Sequence, residues 1–137
     1  MTVRFADAEP NGLADLVGRL IEANLKRRPE RKALLGPSVV ELVASDADTA
    51  ATIVLSAGEI EISNVAGSRT PHLRVVAVAD DLLELSTTPL RFGFPDALDA
   101  RGRSILRRIA TRRVRVSGML RHPVRLSRFT RLLSVVP

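Results

Sequence analysis

The chain has 137 residues, the length of one domain spanning 1–137 and enough to bury roughly 68–70% of its unfolded surface. It has no Cys, which excludes a disulfide framework, thiolate chemistry and a cysteine-ligated metal, and its aromatic residues are four Phe with no Trp or Tyr. The formal charge of +6 hides an asymmetry: residues 1–99 carry 10 Lys or Arg against all 15 Asp or Glu, a balance of −5, while residues 100–137 carry 11 Arg and no acid, a balance of +11.

The opening MTVRFADAEPNG lacks the basic flank and apolar run of a signal peptide, and no run of about 18 apolar residues follows anywhere, so a cytoplasmic protein without a transmembrane segment is expected. Leu13, Leu16, Val17, Leu20, Ile21 and Leu25 then recur at helical spacing, with Asn11 placed to cap the helix and Pro29 to limit its far end. The flank KRRPERK reads as a solvated link to the first strand.

From Pro37 the period changes to two. Val40, Leu42 and Ala44 share a face across from Glu41; Ala51, Ile53 and Leu55 share one across from Thr52 and Ser56; Ile60 and Ile62 oppose Glu59 and Glu61. Three short strands joined by tight turns make an antiparallel meander. One face is apolar and the other polar, so helices are expected on one side alone. Asp46 and Asp48 occupy a turn without the remaining ligands of a calcium loop.

A fourth strand places Leu73, Val75, Ala77 and Ala79 opposite Arg74, Val76 and Val78. Asp80 and Asp81 are placed to cap the short helix that follows, and Pro89 stops it. Phe92 and Phe94 lie on an irregular segment, where they either plug the core or line a pocket. After Asp99 comes a helix with Ile105, Leu106, Ile109 and Ala110 inward and Arg101, Arg107, Arg108 and Arg112 outward.

The last segment, RRVRVSGMLRHPVRLSRFTRLLSVV, holds the densest charge in the chain. Arg113, Arg115 and Ser117 alternate with Val114, Val116 and Gly118 as in a half-buried strand, and Pro123 then suits the first turn of a helix. Leu126, Phe129, Leu132, Leu133 and Val136 form an apolar stripe on that helix. Arg121, Arg125, Arg128 and Arg131 form a second stripe, offset from it, that can meet anions.

The order helix, three-strand meander, fourth strand, two helices, fifth strand, glycine, amphipathic helix, with the hairpin IVLSAGEIEIS and the ending RRIATRRVRVSGMLRHPVRLSRFTRLL, resembles the sterol carrier protein type 2 family from about Leu13 to Val136. The resemblance implies an α+β fold: a five-stranded, mostly antiparallel sheet with helices covering one face and a tunnel between them for sterols, fatty acyl chains or similar lipids. The chain departs from the family pattern in having Pro71-His72 where many members have Pro-Asp. It also has Thr111-Arg112 where many have Gly with a basic residue. The family offers no catalytic motif to carry over.

No nucleophile elbow, zinc-binding H-E-x-x-H or phosphate loop occurs, and His72 and His122 stand apart from any nucleophile setting. The expectation is a protein that is not an enzyme and needs no cofactor or metal. Nucleic-acid binding through the phosphate backbone ranks third, because base-stacking aromatics are absent from the strands. The leading expectation is binding or transfer of a hydrophobic lipid, with Phe92, Phe94, Leu106, Ile109, Val116, Leu126, Phe129 and Leu133 around its tail. Arg121, Arg125, Arg128 and Arg131 would then touch anions or an anionic membrane. The alternative is an accessory scaffold that holds a quinone-like lipid precursor for partner enzymes. Self-association of the chain stays open.

Overall fold

The computed structural model describes residues 2–34, 37–56, 59–64, 71–87, 90–91, 94–118 and 120–134. The period-two segments form strands β2 (Ser38–Ala44), β3 (Thr49–Ser56), β4 (Glu59–Ser63), β5 (Leu73–Ala77) and β8 (Arg115–Ser117). A further strand, β1 (Thr2–Phe5), precedes them. Together they make a six-stranded sheet in the order β1-β4-β3-β2-β5-β8. The meander is antiparallel, with Ile53 opposite both Val40 and Ile62, and β8 runs antiparallel to β5. Two pairings are parallel, β1 with β4 and β2 with β5.

The expected five-stranded, mostly antiparallel sheet is therefore a six-stranded mixed one. The reason lies in TVRF, whose Val3 and Phe5 pack against the core while Arg4 pairs with Glu61 across the sheet. The Phe5 ring occupies the place of a side chain at Gly18, where an added Cβ would stand 2.4 Å from it. Leu90–Arg91 (β6) and Phe94–Pro95 (β7) form a separate two-stranded pair.

The helices are α1 (Gly12–Arg27), α2 (Ala79–Thr87), α3 (Ala100–Ala110) and α4 (Pro123–Leu133), with a 3₁₀ turn at Pro29–Leu34. Asn11 caps α1 as its position implies: its Oδ1 accepts from the Ala14 N–H at 2.8 Å, while its Nδ2 donates to the Ala50 carbonyl and anchors the helix start to the sheet. Val17, Ile21 and Leu25 of α1, with Leu126, Phe129 and Leu132 of α4, cluster against the face carrying Val40, Leu42, Ile53, Ile60, Ile62 and Val75. Each such aliphatic side chain contributes roughly 1.5–3 kcal/mol on burial. The buried Asn24 joins the two helices by donating to the Leu132 carbonyl at 3.0 Å.

On the opposite face of the sheet, exposed Arg74 meets Glu41 at 3.1 Å, and Glu41 is itself buried there, as are Val39 and Thr52. The helix α3 ends with its last carbonyls satisfied by the Arg112 N–H on Ile109 and the Arg113 N–H on Arg108, the paired pattern of a left-handed cap. Arg112 holds φ +62° there, where Gly is the usual occupant.

Asp81 does not cap α2. The Ala79 N–H at the helix start donates instead to Asp46 Oδ1 at 2.9 Å, from the β2–β3 turn. The Asp81 carboxylate is buried and receives Arg108 and Arg113, each at 3.1 Å. Arg108 consequently points at α2 rather than outward, and it also pairs with Glu84. A buried carboxylate needs such partners, because its desolvation costs more than a cap position returns.

Candidate functional site

Between the sheet and the helices lies a cavity of about 420 Å³. Its floor is the β2–β5–β8 end of the sheet: Leu42, Ala44, Val75 and Val116. Leu13, Leu16, Val17 and Leu20 of α1 form one wall, and Leu126, Phe129, Thr130 and Leu133 of α4 another. Leucines 82, 83 and 85 of α2, with Leu106 and Ile109 of α3, close the rest. The small side chain of Ala44 on the floor leaves room between sheet and helices. Leu16, Leu83 and Leu106 are exposed and lie on three different helices, which makes an apolar rim where the cavity meets solvent.

The chemistry of the lining is uniform. Among the described residues it contains no charged side chain and three hydroxyls. Each hydroxyl already donates to a nearby carbonyl: Thr49 to Ala47 at 2.8 Å, Ser86 to Leu83 at 2.7 Å, and Thr130 to Leu126 at 3.0 Å. Such a surface offers a guest dispersion and desolvation but no directed polar anchor.

Six of the eight residues expected at a lipid tail, Leu106, Ile109, Val116, Leu126, Phe129 and Leu133, converge on this cavity. Phe92 lies outside the described residues, as does the side chain of Phe94, whose backbone forms β7. Sequence reasoning missed the contributions of α1 and α2. A signal was available in α1, since Leu13, Leu16, Val17, Leu20 and Ile21 span an apolar arc wider than one packed stripe needs.

The four arginines expected as one stripe do not act as one. Arg128 and Arg131 are exposed on the side of α4 facing away from the cavity, and Arg121 is exposed in the turn before the helix. Arg125 sits a quarter-turn aside and is half-buried. Its Nε donates to the Pro37 carbonyl at 3.3 Å, and its Nη1 lies 3.0 Å from His122 Nδ1. An i, i+3, i+4 count alone does not show that the chain before β2 passes beneath it.

His72 and His122 stand edge to face with ring centroids 5.1 Å apart, and neither lines the cavity. His72 Nδ1 accepts the Val39 N–H at 2.9 Å, which fixes the neutral imidazole. Burial is the main cause that lowers its pKa from the usual 6.5, helped by Arg125 and His122. Among the described residues no three of His, Asp or Glu gather as metal ligands, and no helix is long and apolar enough to cross a membrane.

No family model matches the sequence, and no curated protein does. Among solved structures the chain is similar to a "UbiJ-SCP2 Ubiquinone synthesis protein", with a TM-score of 0.61 and 16% identity over 88% of this chain and 92% of that one. At such identity the likeness speaks for the architecture, which is an SCP2-like α+β fold.

Proposed function

We propose that the chain is a non-catalytic lipid-binding domain, one unit over residues 1–137, that holds a single elongated hydrophobic tail in the cavity beneath α1, α2, α3 and α4. The observation that carries this reading is the lining: about 420 Å³ of space, no charge among the described residues, and hydroxyls already committed to backbone carbonyls. The volume falls within the roughly 300–1,000 Å³ of small-molecule sites. Among the described residues nothing in the lining can activate water or hold a nucleophile, so binding is the chemistry the site supports. The exposed rim of Leu16, Leu83 and Leu106 is the natural entry, and a polar headgroup would stay there in water.

Burying a tail yields roughly 0.8 kcal/mol per methylene, so a dozen give on the order of 10 kcal/mol. Association costs of about 4–15 kcal/mol offset much of this. Affinity should therefore climb with chain length and level off once the cavity is full. The structural neighbour is a ubiquinone synthesis protein, and this favours including an isoprenoid quinone tail among the guests.

The test is a thermal-shift series with fatty acids of increasing length, a sterol and an isoprenoid quinone. Ligand at about 100 times its Kd should add about 2.7 kcal/mol of stability. The reading expects Tm to rise with chain length and then plateau. A flat Tm across all of these lipids would remove it.

A further inference from the structure

The side of α4 turned away from the cavity carries a second feature that the lipid cavity does not explain. Leu120, in the turn before the helix, is 93% exposed, and Val124 in its first turn is 60% exposed. On the helix, Val124, Arg128 and Arg131 recur at i, i+4 and i+7, which aligns them on one outward face, with Arg121 three residues before Val124. Among the described residues no carboxylate lies within ion-pairing reach of Arg121, Arg128 or Arg131. None is available nearby in sequence either, since residues 100–137 contain no acid.

We propose that Leu120, Arg121, Val124, Arg128 and Arg131 form a docking site for an anionic lipid bilayer. Charge complementarity selects an anionic partner. The two apolar side chains select a bilayer over a nucleic acid, because a phosphodiester backbone gives a protruding Leu and Val nothing to bury against. The inner face of α4 is already packed as core through Leu126, Phe129 and Leu132. The helix therefore cannot sink by its apolar face as a free amphipathic helix does. It lies against headgroups by its outer face, with Leu120 and Val124 as shallow pegs and guanidiniums reaching phosphates along their aliphatic stems.

Such contact is weak, roughly fivefold in partitioning per guanidinium, and is screened by salt. Arg125, tied to Pro37 and His122, is outside the site. The site does not depend on what fills the cavity.

The chain has no Trp, so Leu120→Trp places one fluorophore at the proposed peg. Vesicles of phosphatidylcholine with phosphatidylglycerol should shift its emission to the blue at low salt, and vesicles of phosphatidylcholine alone should not. Wild-type protein should float with the anionic vesicles. Both Leu120→Ser/Val124→Ser and Arg121→Gln/Arg128→Gln should reduce flotation about tenfold or more, while Arg125→Gln leaves it unchanged. All these positions except Arg125 are exposed, and uptake of a fluorescent fatty acid by each variant checks that the cavity and fold persist. An unshifted tryptophan on anionic vesicles would overturn the proposal. So would an Arg double variant that loses duplex DNA while the Leu120/Val124 variant still floats, which identifies a polyanion site instead.

Discussion

Arg112 and Gly118 bracket the last strand, and both hold backbone conformations that ordinary side chains resist. At Arg112, φ is +62°, in the left-handed region that closes the cap of α3. Replacing it with Gly removes a steric cost of roughly 1–2 kcal/mol and adds some unfolded-state entropy. Arg112→Gly should thus stabilise the fold by a few tenths to about 1 kcal/mol, seen as a higher urea midpoint with unchanged slope. Gly118 is the reverse case. Its φ is +87°, and an added Cβ would stand 2.0 Å from the His72 carbonyl oxygen, a backbone atom that cannot step aside. Gly118→Ala should cost about 2 kcal/mol or more in the same experiment.

His72 adds a pH dependence to the same junction. Its folded pKa lies below the usual 6.5. In the window between that lowered value and 6.5 the unfolded chain carries the proton and the native one does not. Stability is then full above about pH 6.5 and falls as pH drops through the window, because protonated His72 cannot accept the Val39 N–H. His72→Gln, scanned by thermal melting from neutral to acidic pH, should flatten this part of the curve. An unchanged slope would dismiss the imidazole as its cause.

At the scale of elements, α2 is a lightly anchored wall of the cavity, and ions do much of the anchoring. Among its described residues only Asp81 and Ser86 are buried, and the Asp81 side chain, 3% exposed, depends on Arg108 and Arg113. Arg108 also reaches Glu84, whereas Arg113 is largely in solvent. Arg108→Ala should therefore lower Tm further than Arg113→Ala, and it should weaken binding of a lipid tail by loosening Leu82 and Leu85. Equal Tm losses would mean that the two guanidiniums support Asp81 alike.

These elements also show what the sequence could and could not disclose. Leu126, Phe129 and Leu133 were legible because helical period and burial coincide. Ile109 followed from the same reasoning, and Val116 from the alternation of a strand. The role of Asp81 was not legible, since two acids before an apolar run look like a cap until partners from about 30 residues later arrive. The strand β1 escaped notice because four residues are too few to establish alternation, and its partner Glu59–Ser63 is remote in sequence. Core and cavity wall look the same in a sequence, so the six cavity residues were named without any indication of whether they enclose space.

For the whole molecule, the one-sided packing of the sheet divides the surface into roles. The open face is charged and carries Arg74–Glu41 and Arg4–Glu61. The covered face encloses the cavity, and the Arg-rich end forms the outer surface of the last helix. The central claim is that the enclosed space belongs to a lipid tail. Ala44→Phe sets a phenyl ring on the cavity floor and should take up part of the space, leaving less room for a tail. Native mass spectrometry of gently purified wild-type and Ala44→Phe protein, before and after incubation with a long-chain fatty acid, is the most direct measurement. The account predicts a lipid adduct on the wild type, carried from the cell or taken up on incubation, and markedly less on the folded variant. A wild-type protein that stays at its bare mass under both conditions, or a variant that takes up lipid equally well, would contradict it.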